Sequence, residues 1–237
     1  MTSTLRLIGD VHGQVDRNNL FTRDGQPYLE IIGDAPYSVQ VGDMGDEETY
    51  DQLISSVHAS RHRFFPGNHD HYDRLPPHSL GDFGSVCLGG VEFFFVRGAG
   101  SIDRETLVGL GHEEGKQLWF EEEELTDEQM CAAEQEYLRA RPRIVLSHDA
   151  PTSVARLAWR EARRLSPPNS RAVLCSSRTS AFLARLLEQH QPRLWLFGHH
   201  HHDWRHREGE TRFVCVGELS YVDVDSAGFA RAPHAVS

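Results

Sequence analysis

Five short polar segments of this sequence contain residue types that bind metal ions, and each follows a short apolar run. Their side chains offer carboxylate, imidazole and carbonyl donors to a divalent cation. In chain order they are Asp10-Val11-His12, Gly42-Asp43, Gly67-Asn68-His69-Asp70, Ser147-His148-Asp149 and Gly198-His199-His200-His201-His202. Each segment alone has an ordinary explanation, such as a turn or a helix cap. All five in this order indicate a metal site, because the chance of coincidence is about one in twenty or less.

The spacing within two segments allows pairs of donors. Residues i and i+2 project the same way from an extended chain, so Asp10 and His12 can reach one ion. The same rule allows either the first and third histidines of the run 199–202 or the second and fourth. Spacing alone does not choose between these two pairs.

The third segment combines a donor with a possible proton carrier. Asn68 offers a carbonyl oxygen to a metal, and His69 can act as a general acid or base. Asp70 can hold the His69 ring in one tautomer. Asp43, in the second segment, would be interpreted as a turn residue when taken alone, and only the other segments make it a candidate metal donor.

The apolar runs before these segments predict buried β-strands, and helical spacing of apolar residues predicts helices between them. The strands are residues 5–8, 38–41, 63–65, 91–96, 144–146, 194–197 and 212–216. The helices are 47–59, 126–140 and 177–190, the second opening with a capping box of Thr126 and Gln129. This alternation indicates one α/β domain over residues 1–237 with its chemistry at the strand ends. Two stretches without a regular pattern, 98–124 and 159–178, are predicted loops over the substrate or the surface.

Composition narrows the classes of partner. The chain has 24 Lys and Arg against 35 Asp and Glu, a net charge of −11, which repels nucleic-acid polymers and anionic membranes. It has no apolar run of about 18 residues, so we expect no membrane span. Four cysteines without a CxxC pair, and no signal-peptide core, favour a cytoplasmic location.

Together, D-x-H, G-D, G-N-H-D, H and G-H-x-H resemble the calcineurin-like metallophosphoesterase superfamily, from about residue 5 to residue 216. The resemblance implies a four-layer α/β/β/α sandwich with a dinuclear metal site at the strand ends. The implied ligands of the first metal are Asp10, His12, Asp43 and His201, and those that complete the second are Asn68, His148 and His199. Asp43 bridges the ions, His69 is the catalytic histidine and Asp70 is its acidic partner. His200 and His202 are implied to lie outside the ligand set.

Nitrogen and oxygen donors without a thiolate suit two divalent ions chosen from Mn, Fe, Zn, Co or Ni, with Mn favoured. A hydroxide shared by ions about 3.5–4 Å apart would attack phosphorus while His69 protonates the leaving group. We therefore predict a metal-dependent phosphoesterase, most simply a phosphatase of small or generic phosphomonoesters. The alternative is a phosphodiesterase of nucleotides or other small diesters, and a distant one is an inactive metal-retaining binding module.

The sequence departs from the protein serine/threonine phosphatases, although its opening motif resembles theirs. Those enzymes carry one arginine after the second motif and another before G-N-H, and both clamp the phosphate. Here Met44 follows Asp43, and Phe65-Pro66 precedes Gly67. We therefore discount a protein phosphatase. Arg97 is a candidate replacement clamp, and a solvated arginine at a strand end fits its position equally well.

Overall fold

Short runs of β-branched and aromatic residues form most strands in the computed structural model, which describes residues 4–18, 26–165 and 177–227. The strands are β1 (Thr4–Ile8), β2 (Ser38–Gln40), β3 (His62–Phe64), β4 (Phe83–Leu88), β5 (Val91–Val96), β6 (Ile144–Ser147), β7 (Leu194–Phe197), β8 (Trp204–Glu208), β9 (Thr211–Cys215) and β10 (Tyr221–Asp225). The helices are α1 (Tyr28–Ile31), α2 (Glu47–Ser56), α3 (Arg104–Glu114), α4 (Asp127–Ala140), α5 (Thr152–Leu165) and α6 (Arg178–Gln189). Single 3₁₀ turns lie at Tyr72–Arg74 and Glu121–Glu123.

These strands form two sheets with mostly parallel centres. The first sheet has the order β10-β1-β2-β3, and the second has the order β4-β5-β6-β7-β9-β8. Strands β1, β2 and β3 are parallel to one another, as are β5, β6, β7 and β9. Parallel strands end at the same edge of a sheet, so the loops that follow them meet there.

The central strands are apolar on both faces, and one face of each sheet packs against the other sheet. Leu5 and Leu7 of β1 share one buried cluster with Leu194 and Leu196 of β7. The intervening residue Trp195 points to the opposite face of its sheet, where α4, α5 and α6 cover it. Helices α1 and α2 cover the outer face of the first sheet. The layers therefore run helix, sheet, sheet, helix, which confirms the predicted four-layer sandwich.

All seven predicted strands are present, with bounds that differ by at most one residue. Three strands were missed, β4, β8 and β10, and each lies at an edge of its sheet. Edge strands are exposed on one side and carry more polar residues, so they lack a continuous apolar run. The sequence of β8, Trp-Arg-His-Arg-Glu, illustrates this.

The three predicted helices are also present, and the Thr126–Gln129 capping box is formed as predicted. The two stretches predicted as loops contain helices instead. The stretch 98–124 includes α3, and Trp159 belongs to α5. Residues 166–176 of the second stretch lie outside the described residues. The single-domain organisation over 1–237 stays a prediction. Within the described ranges, no helix is long and apolar enough to cross a membrane.

Candidate metal centre

Each of the five polar segments lies at the end of a strand or within a few residues after it. Two groups of side chains there bring one donor atom each within 4.8 Å of one another. The first group is Asp10, His12, Asp43 and His201, and the second is Asp43, His148 and His199. Asp43 is common to both groups, which is the arrangement expected of a bridging carboxylate.

The first group consists of two carboxylates and two imidazoles. Nε2 of His201 lies 3.0 Å from Oδ2 of Asp10 and 3.1 Å from Nε2 of His12. Nε2 of His12 lies 3.8 Å from Oδ2 of Asp43. Asp10 and Asp43 are fully buried, whereas His201 is exposed, so this group faces solvent on the histidine side.

The second group is more deeply buried, and His148 is held in one orientation. Its Nδ1–H donates to the carbonyl oxygen of Val41 at 2.8 Å, which leaves Nε2 free to bind. Nε2 of His148 lies 3.3 Å from Oδ1 of Asp43 and 3.1 Å from Oδ1 of Asn68. The His199 ring centroid is 5.0 Å from that of His148. All seven predicted ligands therefore converge on one place.

The backbone at these segments is not extended, which corrects the reasoning from i and i+2 spacing. His12, Asp43, His199 and His201 have φ angles of 48°, 58°, 65° and 56°. Left-handed conformations of residues other than glycine cost of order 1–3 kcal/mol each and concentrate at functional sites. Tight turns, rather than side-chain alternation along a strand, aim these donors at one point.

A buried carboxylate oxygen of Asp43 has no hydrogen-bond partner among the described residues. Oδ1 accepts the backbone N–H of His69 at 2.9 Å, but Oδ2 is left without a donor. Burial alone would raise the pKa of Asp43, yet the charge of His148 and the hydrogen bond from it hold this pKa well below the usual range. An orphaned, ionised oxygen inside two donor groups fits a cation.

The same field acts on the histidines. Burial lowers the pKa of His148, but the charge of Asp43 and the hydrogen bond to it outweigh burial and raise this pKa to about 10. The hydrogen bond to Asp10 likewise raises the pKa of His201. Positive charge is therefore favourable beside Asp43 and Asp10, whereas burial and the charge of His148 lower the pKa of His199. Divalent cations would supply positive charge with the imidazoles neutral. The donor set fits such ions.

His69 belongs to neither donor group. It is partly exposed, and its ring centroid lies 5.6 Å from that of His12. It lines two cavities, one of about 400 Å³ and one of about 310 Å³. His69 is thus placed to meet a ligand in either cavity without belonging to a donor group.

Asp70 does not hold the His69 ring, which corrects the predicted tautomer role. Its Oδ2 accepts backbone N–H groups of Asp43 and Gly67 at 2.8 and 2.7 Å. Its Oδ1 accepts the backbone N–H of Gly45 at 3.0 Å and the hydroxyl of Tyr50 at 2.9 Å. The carboxylate instead ties the turn after β2 to the turn after β3.

Arg97 is not a phosphate clamp. Its Nε donates to Asp82 at 2.6 Å, it also donates to the carbonyl oxygen of Glu122, and its guanidinium lies 4.8 Å from the Tyr72 ring centroid. Those contacts bury the side chain and hold the segment after β5. His200 and His202 lie outside both donor groups, as the resemblance implied.

Two residues that the sequence did not single out hold the amide of Asn68. Its Nδ2 donates to Oγ of Ser101 at 3.1 Å, and that hydroxyl donates to Oε2 of Glu123 at 2.5 Å. The backbone N–H of Ser101 donates to Oε1 of Glu123 at 3.1 Å. Oδ1 of Asn68 therefore faces His148. Glu123 lies in an acidic run that resembles a solvated surface, so the sequence carried no signal for this contact.

A two-sheet α/β sandwich with aspartate and histidine donors at its strand ends is the architecture of metallophosphoesterases. The chain matches the family model described as calcineurin-like phosphoesterase over residues 4–203, and it belongs to that family. A search of curated proteins gave no match.

Three solved structures show a similar fold at low sequence identity. A putative 5′-nucleotidase from Staphylococcus aureus has a TM-score of 0.52 and 10% identity, covering 97% of this chain and 53% of that protein. A hypothetical protein from Thermus thermophilus has a TM-score of 0.50 and 14% identity, covering 97% and 96%. GAP50 of Plasmodium has a TM-score of 0.50 and 12% identity, covering 98% and 87%. At these identities the likeness establishes the fold alone.

The first prediction concerns Gly67, whose position has no room for a side chain. A Cβ there would lie 2.6 Å from both Nε2 of His148 and the backbone N of Asp43. Gly67→Ala should therefore abolish Mn²⁺ binding in calorimetry and destabilise the fold by about 1–3 kcal/mol. Gly109→Ala is the control, because a Cβ there meets nothing within 4 Å. Unchanged Mn²⁺ affinity in Gly67→Ala would contradict the site.

The second prediction concerns the contact between Ser101 and Asn68. Ser101→Ala removes the acceptor for Nδ2 of Asn68, and we expect one of two bound Mn²⁺ ions to dissociate about 10–100-fold more readily. Glu123→Gln should have a smaller effect in the same direction. Calorimetric titration measures both, with the exposed Ser85→Ala as control. Equal affinities in Ser101→Ala and Ser85→Ala would show that the contact does not position Asn68.

Proposed function

We propose that this chain is a metal-dependent phosphatase of small phosphomonoesters that uses two divalent cations, with Mn²⁺ favoured. The observation that carries the proposal is the buried Asp43 carboxylate, which is shared by two donor groups and has one oxygen without a partner among the described residues. Its neighbour His69 belongs to neither group and lines both adjoining cavities.

Bound cations would activate a water molecule and neutralise the phosphoryl oxygens. The protein's own residues supply the rest. The backbone N–H of His69 donates to Oδ1 of Asp43 at 2.9 Å, which holds the backbone of His69 beside the donor groups. From there the protonated ring would donate to the oxygen of the leaving alcohol.

The cavities support a small substrate. Volumes of about 310 and 400 Å³ suit a compact ester rather than the surface of a protein. Free thiols at Cys87, Cys131 and Cys215 in the described part of the chain are compatible with the proposed cytoplasmic location.

A small phosphodiesterase is the second candidate, and one observation favours it. None of the described residues that line either cavity is lysine or arginine. A monoester carries two negative charges at neutral pH and a diester carries one, so a diester depends less on such a clamp. Comparing a matched aryl monoester and diester with the Mn²⁺-loaded protein distinguishes the two candidates.

Removing a shared or buried ligand should remove both metal and activity. For Asp43→Asn and His148→Ala we expect loss of bound metal and a fall in hydrolysis of 4-nitrophenyl phosphate of at least about 100-fold. His112→Ala, an exposed histidine on α3, is the matched control and should behave like the parent protein. Metal content by mass spectrometry and initial rates are the measurements. Full activity in Asp43→Asn would overturn the proposal.

His69→Ala should separate metal binding from proton transfer. We expect it to keep its metal content and to lose about 10²–10⁴-fold in turnover of alkyl phosphates. The loss should be smallest for 4-nitrophenyl phosphate, because a good leaving group needs little protonation. A loss of equal size for alkyl and nitrophenyl esters would show that His69 is not the acid.

A further inference from the structure

One of the two cavities beside the metal centre is lined on one side by residues of the site and on the other by apolar and acidic residues. Asn68, His69 and His199 lie on the side of the donor groups, and the cavity measures about 310 Å³. We propose that this cavity binds the alcohol part of the ester and selects an uncharged aromatic group that carries a hydrogen-bond acceptor. The inference rests on the proposed function and deepens it.

Helix α5 supplies the apolar wall. Ala155, Trp159 and Ala162 line the cavity at positions i, i+4 and i+7, which share one face of a helix. The two alanines leave room beside the indole, so a flat ring can pack against it. Ile102, from the segment before α3, adds a second large apolar side chain. An aromatic ring bound beside Trp159 would gain from offset or edge-to-face contacts with the indole.

Charge on the wall disfavours a second anionic group. Asp103 and Asp149 line the cavity, and among the described residues that line it there is no lysine or arginine. The guanidinium of Arg163 lies 5.0 Å from the Trp159 ring centroid, but Arg163 does not line the cavity. An alcohol part with its own carboxylate or phosphate would meet two acidic groups.

Trp159, which lines the cavity, has a donor without an acceptor among the described residues. Nε1 of Trp159 is buried and makes no hydrogen bond in the described structure. An indole N–H that stays unpaired in a buried position is unfavourable, and most such groups have partners. An oxygen or ring nitrogen on the bound alcohol would supply the acceptor, whereas a plain alkyl group would not.

The other cavity, of about 400 Å³, is the competing place for the alcohol. It contains Leu107 and Phe120 together with the acidic residues Asp46 and Glu48. Among the described residues, only the cavity of about 310 Å³ is lined both by His199, a candidate metal ligand of the second donor group, and by Trp159, whose indole N–H has no partner. The two cavities are distinguished by substitution of one residue from each.

Kinetics with matched esters test the assignment. Trp159→Ala should lower kcat/KM for 4-methoxyphenyl phosphate about 10-fold more than for ethyl phosphate, with most of the change in KM. Asp103→Asn should raise kcat/KM for 4-carboxyphenyl phosphate several-fold relative to the methoxy ester. Leu107→Ala is the control in the other cavity and should leave the aryl-to-ethyl ratio unchanged. A changed ratio in Leu107→Ala with an unchanged one in Trp159→Ala would overturn the inference.

A binding experiment separates this inference from the proposed function. The chain has four tryptophans, so its indole N–H groups give few NMR signals, and Trp159→Phe identifies that of Trp159. Titration of the Zn²⁺-loaded protein with 4-methoxyphenylphosphonate should shift the Trp159 signal and leave that of Trp204 in place. An unmoved Trp159 signal in a protein that hydrolyses aryl phosphates would overturn the inference and leave the proposed function standing. A protein that hydrolyses no ester would overturn the proposed function itself.

Discussion

The organisation of this site depends on one buried carboxylate. Asp43 has no exposed surface, belongs to both donor groups, and leaves Oδ2 without a hydrogen bond from any described residue. A buried, ionised oxygen without a partner is unfavourable in proportion to its desolvation, so the surrounding structure must hold it in place against that cost. Asp70 contributes directly, because it accepts the backbone N–H of Asp43 and that of Gly67. The turn after β2 and the turn after β3 are thereby fixed relative to each other.

The second sheet is joined to this arrangement through polar contacts that cross between sheets. Nδ1–H of His148, after β6, donates to the carbonyl oxygen of Val41, after β2. The backbone N–H of His199, after β7, lies 3.1 Å from Oδ1 of Asp10, after β1. The apolar faces set the spacing of the sheets, and these contacts set their register at the site. Packing alone, which is tolerant of small shifts, would not place donor atoms within 4.8 Å of one another.

Sequence patterns predicted the buried strands and the polar segments that follow them. They missed the edge strands and the side-chain contacts between residues distant in the chain. Buried strands such as β5 and β7 carry apolar runs, and the polar segments after strands carry recognisable donors, so both were predictable. The edge strands β4, β8 and β10 were not, since one side of each is open to solvent. Arg97, Asp70 and Glu123 were misjudged or overlooked for a related reason. Each makes its decisive contacts with residues brought near only by the fold.

Strain and charge at this site have a common consequence for stability. Four predicted ligands adopt left-handed backbone conformations, and the buried Asp43 carboxylate has one oxygen without a hydrogen-bond partner among the described residues. Both features raise the free energy of the folded chain without a cation. A cation that binds only the folded arrangement lowers that free energy by mass action, so folding and metal binding are coupled. The turns that orient the donors are therefore best understood as part of the metal site, because their strain is offset when the donor residues bind a cation.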